Sequence, residues 1–137
     1  MAGIKALNRR FNEEVIEKGN FNLIGELIAE DFVEHQPLPG TAQGREGVKQ
    51  TMVMVRSAFP DVRIAVEADV AEGDMLFAMG TMTGTHQGEF MGIPATGKAI
   101  SVLFMDLFRV RDGKFVEHWA LFDTAAMMEQ LGVQPPG

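Results

Sequence analysis

The sequence has 137 residues, 46% of them hydrophobic, with a formal net charge of −7 and no cysteine. This length and composition suit one compact domain with an apolar core, so we predict a single domain over residues 1–137. The negative charge argues against nucleic acid and membrane partners. The lack of cysteine excludes disulfides and thiolate chemistry. No apolar stretch is long enough to span a bilayer, so we expect a cytoplasmic protein.

Three helices are predicted in the first part of the chain. Apolar residues recur at steps of three and four over 4–18 and predict the first helix; they are Ile4, Leu7, Phe11 and Val15. A shorter helix is predicted after Asn20, and an irregular link follows over 31–39. A third helix is predicted over 44–59, because its apolar residues have the same spacing and Pro60 ends it.

The pattern then changes to the alternation that is typical of strands. Strands are predicted over 62–67, 75–85, 98–111 and 114–122, and the last two are joined by a hairpin turn at Asp112-Gly113. One or two helical turns are predicted over 124–131, and residues 134–137 are predicted to be loose. Helices followed by an antiparallel meander predict an α+β fold, with the helices packed on one sheet.

Two carboxylates interrupt the apolar sequence of the predicted hairpin, Asp106 within one strand and Asp123 at the end of the other. With a two-residue turn, directly opposed residues share a face, and the register places Asp106 opposite Trp119. One face then carries both acids, Trp119 and the phenylalanines Phe104 and Phe108. Apolar walls with a few polar groups are typical of a ligand site, so we predict a pocket on this face.

The other face of the predicted hairpin is also apolar. It carries Leu103, Met105, Leu107, Val116, His118, Ala120 and Phe122. Helices can cover only one face of a single sheet, and an exposed patch of this size is unusual in a monomer. We therefore predict that a second copy of the chain covers it and that the protein is a homodimer.

The two acids allow either a catalytic or a structural interpretation. A carboxylate in an apolar site needs a donor or takes up a proton, and a raised pKa makes it a useful acid or base near neutrality. Alternatively, Asp106 is a core acid that bonds to Trp119 or to a histidine. Asp123 or Thr124 could equally serve as the cap of the last helix, because both residue types favour that position.

Two histidines are further candidates for the same site. His35 lies in the link between helices, and His86 lies at a strand end beside a glycine-rich loop. We predict that both reach the cavity of the acids, where a histidine can donate to an oxyanion or relay a proton. His118 falls on the opposite face and is interpreted as structural or interfacial. The histidines lack compact ligand spacing, so no metal is expected.

Five sequence blocks follow one another along most of the chain. They are FVEHQP at 32–37, GREGV at 44–48, FPD at 59–61, GTHQGEFMGIPATGK at 84–98 and FRVRDGKFVEHWALFD at 108–123. Together they resemble the SnoaL-like polyketide cyclase family. The resemblance implies the nuclear transport factor 2-like fold, in which a curved antiparallel sheet wraps N-terminal helices into a cone with an apolar pocket.

The resemblance also implies an activity. Characterised relatives close a ring of an aromatic polyketide by intramolecular aldol condensation, without metal or cofactor, and use a pocket aspartate as acid/base. Asp123 in the W-x-x-x-D block is the best match for that residue, with Asp106 as the second candidate. We therefore predict a cofactor-independent enzyme that acts on a small hydrophobic or aromatic molecule.

Two other functions remain open on the same residues. One is an epoxide hydrolase or isomerase that uses the same carboxylates on a different small substrate. The other is a non-catalytic, dimeric binder of a hydrophobic metabolite. Acids that are bonded into caps and salt bridges away from any cavity would favour the binder.

Overall fold

The computed structural model describes residues 3–133, and it confirms the α+β prediction. Helical segments come first and strands dominate the second half of the chain. The five strands form one open sheet, in which the first strand of the chain lies at one edge and is followed by the fifth, fourth, third and second. The helices pack on its inner face. The predicted loose tail at 134–137 lies outside the described residues. None of the helices in the described part of the chain is both long and apolar enough to cross a lipid bilayer.

The predicted first helix consists of two kinds of helix in direct succession. An α-helix, α1, runs over Ile4–Arg10 and continues without a break as a π-helix over Phe11–Glu17. The amide of Lys18 donates to the carbonyl of Glu13, five residues back, which is the wider hydrogen-bond spacing of a π-helix. Because this spacing shifts the side chains around the axis, the second half presents a different face from that of a regular α-helix.

The remaining helices lie close to their predicted positions. A short 3₁₀ turn over Phe21–Leu23 leads into α2, over Ile24–Leu27. The longest helix, α3, spans Gly44–Ala58, and α4 spans Thr124–Leu131. Gly47 of α3 is tightly packed, because a Cβ atom there would lie 1.7 Å from the carbonyl oxygen of Ala42. The first turn of α3 is thereby fixed against the link that precedes it.

Four strands form the predicted antiparallel meander. They are β2 over Arg63–Glu72, β3 over Met75–Thr85, β4 over Ala99–Arg111 and β5 over Lys114–Phe122. The register of β2 on β3 shifts between Val66 and Ala68, and that of β4 on β5 shifts between Arg109 and Val110. Shifts of this kind bend a strand and increase its twist, which gives the sheet its curvature.

The sheet has a fifth strand that the sequence did not predict. Strand β1 covers Ile28–Glu34, which was assigned in part to the second helix and in part to the irregular link. It pairs with β5 in parallel, so the prediction of a purely antiparallel sheet is wrong at this edge. The pairing brings Glu34 directly beside His118.

The predicted register of the β4–β5 hairpin is wrong beyond its first residues. Arg111 pairs with Lys114 as expected, but an extra residue in β5 then shifts the strand. Asp106 therefore opposes Ala120, not Trp119, and His118 opposes Phe108. A shift of one residue moves every following side chain of β5 to the other face. Trp119 thus lies on the outer face, and His118 lies on the inner face with Asp106.

The inner face of the sheet is covered by two hydrophobic clusters. The first joins the π-helix and α2 to β4 and β5, and it includes Phe11, Phe108 and Phe115. Phe115 is fully buried, and its ring lies edge-on to Phe11 with centroids 6.2 Å apart. The second cluster joins the end of α3 to α4 around Phe59 and Met127. The two clusters flank the part of the inner face on which Asp106 lies.

The outer face of the sheet carries apolar side chains that are exposed in the single chain. Leu121 is 72% exposed, and Leu103 and Phe77 are also exposed. The shifted register replaces the predicted His118, Ala120 and Phe122 on this face with Trp119 and Leu121. The apolar character that motivated the dimer prediction is therefore present, although its residues differ.

The homodimer stays a prediction, with a direct test. We expect light scattering at micromolar concentration to give twice the mass of one chain. Leu121→Lys places a charge on the outer face and should shift the protein towards the monomer, since burying an unpaired charge in an interface is costly. A wild-type mass equal to that of one chain would show that the outer face stays open to solvent.

Candidate active site

A cavity of about 180 Å³ lies between the sheet and the helical layer. Its walls come from the π-helix, β1, the link before α3, α3 itself, β4 and β5. Most lining side chains are apolar: Phe11, Ile16, Ile28, Phe32, Ala42, Val48, Met52, Phe108 and Phe115. The polar side chains on the walls are Asn12, Glu34, Thr41, Thr51, Asp106 and His118. A mainly apolar cavity with few polar groups is the usual form of a small-molecule site.

Three of the polar side chains form a hydrogen-bonded cluster. His118 Nε2 lies 2.8 Å from Asp106 Oδ1, and its Nδ1 lies 2.6 Å from Glu34 Oε1. The ring of Phe108 stacks on the His118 ring, with centroids 4.5 Å apart and planes inclined by 18°. The imidazole is thereby fixed in position by two carboxylates and one aromatic face.

The cluster forms where three strands lie side by side. Asp106 comes from β4, His118 from β5 and Glu34 from the last position of β1. The backbone of Glu34 is held by Gln43, whose side chain accepts from the Glu34 amide and donates to the Glu34 carbonyl. The second carboxylate oxygen of Glu34 accepts a bond from the amide of Gln36. Strand pairing and the link before α3 therefore fix the position of the Glu34 carboxylate.

His118 carries a positive charge at neutral pH. Burial by itself lowers its pKa, but the hydrogen bonds to Asp106 and Glu34, together with attraction to both carboxylates, raise the pKa to about 9. The protonated ring donates from both nitrogens, one bond to each carboxylate. A buried carboxylate is costly without a partner charge, and His118 supplies that charge to both acids.

The cavity has a net negative charge when His118 is protonated, because its wall carries two carboxylates and one imidazolium. No lysine or arginine lines it within residues 3–133. The described part of the chain also holds no group of three or more His, Cys, Asp or Glu side chains that is arranged to bind a metal ion. Among residues 3–133, the charged atoms on the cavity wall are therefore those of the cluster.

The structure separates the two candidate acids. Asp106 lines the cavity, and its Oδ2 atom has no hydrogen-bond partner among residues 3–133. Asp123 is exposed and caps α4, since its Oδ1 atom accepts from the amide of Ala126 at 3.0 Å. The structural interpretation of Asp123 as a helix cap is thus confirmed. Its catalytic role stays a prediction.

The cap gives Asp123 a measurable effect on stability. We expect Asp123→Ala to lower the free energy of unfolding by about 1 kcal/mol, because the Ala126 amide loses its acceptor. Asp123→Asn should lower it much less, since asparagine is an equally good cap. Urea denaturation of the three proteins measures the difference. Equal losses in both variants would show that the carboxylate stabilises the fold in another way.

The other predicted site residues are dispersed. Phe108 lines the cavity, whereas Phe104 is buried on the same face within the second hydrophobic cluster. Trp119 lies on the outer face and stacks on His35, with ring centroids 4.4 Å apart. His35 also contacts Glu117, at 3.0 Å. Neither Trp119 nor His35 is among the residues that line the cavity.

His86 is fully buried, away from the cavity wall. Its Nδ1 atom accepts a bond from the amide of Thr96 and lies 3.0 Å from the Thr96 hydroxyl. These bonds connect the end of β3 to the loop that precedes β4. The prediction that His35 and His86 line the same cavity as the acids is not met in this structure.

A comparison with protein families connects this geometry to a known group of enzymes. The model of one family, described as SnoaL-like polyketide cyclase, matches residues 6–131. The chain belongs to this family. The match includes every element that contributes to the cavity wall, and it confirms the family that the sequence blocks resemble.

Relatives of known activity and structure support the assignment to the SnoaL-like family. Aklanonic acid methyl ester cyclase DauD from Streptomyces sp. strain C5 is 27% identical over 125 residues, which are 87% of this chain and 76% of the relative. Nogalonic acid methyl ester cyclase from Streptomyces nogalater is 28% identical over 116 residues, or 83% and 87% of the two chains. IdmH from Streptomyces antibioticus, described as a candidate polyketide cyclase, is 35% identical with a TM-score of 0.81, covering 94% of this chain and 98% of its own.

Sequence reasoning missed two members of the charged cluster of this SnoaL-like chain. Glu34 was included in a sequence block but assigned no role, and His118 was placed on the wrong face. No strand pattern marks Glu34, because Phe32 and Val33 are both apolar while Glu34 and His35 are both polar. No local signal marks His118 either, since its face depends on the extra residue in β5.

Proposed function

We propose that the protein closes a ring in a small polyketide-type molecule by intramolecular aldol addition, with Asp106 as the acid/base. The observation that carries the proposal is the position of Asp106. Its carboxylate lies on the wall of an apolar cavity, held through one oxygen by His118, with the other oxygen unpaired among residues 3–133. A positioned carboxylate of this kind is suited to take a proton from carbon and to return it to oxygen.

The proposed reaction needs only one proton carrier. Asp106 Oδ2 removes a proton from a carbon beside a carbonyl group, and the electron pair of the C–H bond forms an enolate. The enolate carbon attacks a second carbonyl carbon of the same molecule, which forms the new carbon–carbon bond and leaves an alkoxide. The carboxylic acid of Asp106 then protonates the alkoxide, so that Asp106 is again a carboxylate and the product is an isomer of the substrate.

His118 and Glu34 act on the substrate only through Asp106. The His118 imidazolium orients the Asp106 carboxylate by donating a hydrogen bond to Oδ1, and it takes up no proton during the reaction. Glu34 fixes the imidazolium from the other side. Both are positioning residues, and the ion cluster keeps its geometry while the proton moves on the unpaired oxygen of Asp106.

The charge and size of the cavity support a particular kind of substrate. The net negative charge of the cluster disfavours a free carboxylate, which agrees with the methyl esters in the names of DauD and of the nogalonic acid methyl ester cyclase. A cavity of about 180 Å³ is smaller than the ~300–1,000 Å³ of sites that enclose drug-sized ligands. We infer that it encloses the reacting ring and that the remainder of a larger substrate lies at its mouth.

The alternative functions receive less support. Asp106 lines a cavity, so the condition that would favour a non-catalytic binder is not fulfilled. An isomerase would use the same proton transfer without forming a carbon–carbon bond. The cyclase activity of the named relatives favours ring closure over simple isomerisation.

Isotope exchange tests the proposed chemistry without knowledge of the natural substrate. Aromatic β-keto esters are incubated with the protein in deuterated buffer, and mass spectrometry follows the exchange of the acidic C–H. In deuterated buffer we expect exchange above the buffer rate. In ordinary buffer we expect ring closure to a product with the mass of the substrate, where a second carbonyl is within reach. An exchange rate equal to that of buffer alone across the series would contradict the proposal.

A further inference from the structure

Asn12 is a buried polar residue on the helical wall of the cavity. It lies near the start of the π-helix, and only 9% of its surface is exposed. Its side chain lines the cavity, opposite the sheet that carries Asp106. Short π-helical segments within helices occur frequently at functional sites, because they change the direction in which side chains point.

The Asn12 side chain forms no hydrogen bond with any residue in the described range 3–133. Its helical neighbours Phe11 and Val15 are apolar and buried, so an apolar residue would also fit this environment. The fully enclosed side-chain atoms that lack a partner within residues 3–133 are Asp69 Oδ2 and His86 Nε2, and the Asn12 amide is not among them, so its N–H groups are open to the cavity. A hydrogen-bonding ligand in the cavity would supply the missing partner.

The other side-chain donors of the cavity wall are already engaged. The Thr41 hydroxyl donates to the carbonyl of Leu38 at 2.7 Å, and the Thr51 hydroxyl donates to the carbonyl of Gly47 at 2.8 Å. Both N–H groups of protonated His118 are directed to carboxylates. Among the side chains that line the cavity within residues 3–133, the Asn12 amide is therefore the one with uncommitted N–H groups.

We infer that the Asn12 amide donates to the oxygen of the enolate that forms when Asp106 removes the proton. This assignment rests on the proposed function, since it requires an anionic oxygen in the cavity. The enolate needs a donor that does not itself lose a proton, and a neutral amide meets that need. Asp106 on the sheet and Asn12 on the helix then act from opposite walls, one on the carbon and the other on the oxygen of the same enolate.

The first test compares two identical substitutions on one helix. Asn12→Leu should reduce kcat by about 100- to 1,000-fold with little change in KM, the usual effect of removing an oxyanion donor. Asn8→Leu is the matched control, because Asn8 is also buried but does not line the cavity, and its kcat should stay within about threefold of wild type. Full activity in a folded Asn12→Leu variant would overturn the inference.

The second test measures binding and needs no turnover. In the Asp106→Asn variant the neutral amide imitates the protonated acid, and 4-nitrophenolate imitates the enolate in a cavity large enough for one ring. The absorption of 4-nitrophenol reports how much of the bound ligand is ionised. Adding Asn12→Leu to this variant should weaken 4-nitrophenolate binding by about tenfold or more, because a bond to a charged oxygen is lost.

The outcomes of the two tests separate this inference from the proposed function. Equal 4-nitrophenolate affinity with and without Asn12→Leu overturns the role of Asn12, whatever the activity of Asp106→Asn. Full turnover in Asp106→Asn overturns the proposed base, while a binding loss on Asn12→Leu still supports Asn12 as an anion donor. If Asn8→Leu does not fold, the binding comparison decides the inference by itself.

Discussion

Asp106→Asn is expected to lower the rate of ring closure by about 100- to 10,000-fold, the usual range for loss of a general acid/base. The substitution keeps the size of the side chain and its contact with His118, but the amide can neither accept the proton from carbon nor return it to oxygen. Exchange of the substrate C–H with deuterated buffer should fall in parallel, since both processes begin with the same proton transfer.

Asp123→Asn is the matched control for this experiment. The sequence-based hypothesis assigns the acid/base to Asp123 and predicts that turnover collapses in this variant. The structure places Asp123 at the exposed start of α4, and Asp106 on the cavity wall. We expect Asp123→Asn to retain turnover close to wild type. Full turnover in Asp106→Asn, with loss of turnover in Asp123→Asn, would reverse the assignment.

A protein that merely fails to fold would give the same loss of turnover, so both variants need a structural readout. Circular dichroism and the urea midpoint serve for this purpose. Asp106→Asn replaces one member of the ion cluster, and some loss of stability is expected from it. The loss of rate should persist at temperatures where the variant is fully folded. Recovery of the rate on cooling would indicate instability as the cause.

The elements that the sequence predicted correctly are those with a local pattern. The helical spacing over 4–18 and 44–59 and the hairpin turn at 112–113 depend only on neighbouring residues, and the structure contains each of them. Strand β1 was missed because Ile28–Glu34 contains three acids and few buried residues. It becomes a strand by pairing with β5, which is more than 80 residues away along the chain.

The register of the hairpin shows the limit of local reasoning more sharply. The turn was predicted correctly and the first pair, Arg111 with Lys114, is present. One extra residue in β5 then moves His118 inward and Trp119 outward. Nothing in the turn sequence encodes that residue, because a bulge is favoured by the packing of the whole sheet.

The candidate site was accordingly predicted in part. Asp106 was identified because an ionised carboxylate in an apolar strand is costly unless it has a partner or a function. Phe108 was identified because it shares a face with Asp106. Both line the cavity. The partners of Asp106 could not be predicted, since Glu34 and His118 reach it through an unpredicted strand and an unpredicted bulge. The sequence thus identified the acid Asp106, whereas the charged partners that surround it could be identified only from the tertiary structure.

The charge of His118 leads to the second large effect, on stability. His118→Gln is expected to lower the free energy of unfolding by about 3 kcal/mol at pH 6.5. This is the lower end of the range for removing one partner of a buried ion pair, because the side chains of His118, Asp106 and Glu34 are 16%, 21% and 23% exposed. Glutamine can donate from its amide nitrogen but carries no charge. Glu34 and Asp106 then share the cavity wall without the cation that both of them contact in the wild type.

The effect of His118→Gln should depend on pH in a defined direction. The pKa of His118 is raised in the folded protein from 6.5 to about 9, because the bonds to Asp106 and Glu34 outweigh the burial that lowers it. A raised pKa means that the folded state binds the proton more tightly than the unfolded state. The protonation of His118 therefore adds about 3 kcal/mol to the free energy of unfolding. This contribution is complete below pH 6.5 and is lost as pH rises through 9.

Urea denaturation between pH 6.5 and 10 measures this linkage directly. Between pH 6.5 and pH 10, wild type should lose about 3 kcal/mol more of its free energy of unfolding than His118→Gln does. The two curves of stability against pH should therefore converge at high pH. His35→Gln is the matched control, because His35 is a partly exposed histidine on the outer face that also contacts a single carboxylate. The loss of stability that wild type shows between pH 6.5 and 10 should persist in this variant, because the contacts of His118 with Glu34 and Asp106 are intact. If His118→Gln also runs parallel to wild type, the ring is not the charged centre of the cluster, and Asp106 must be stabilised in the cavity by another group.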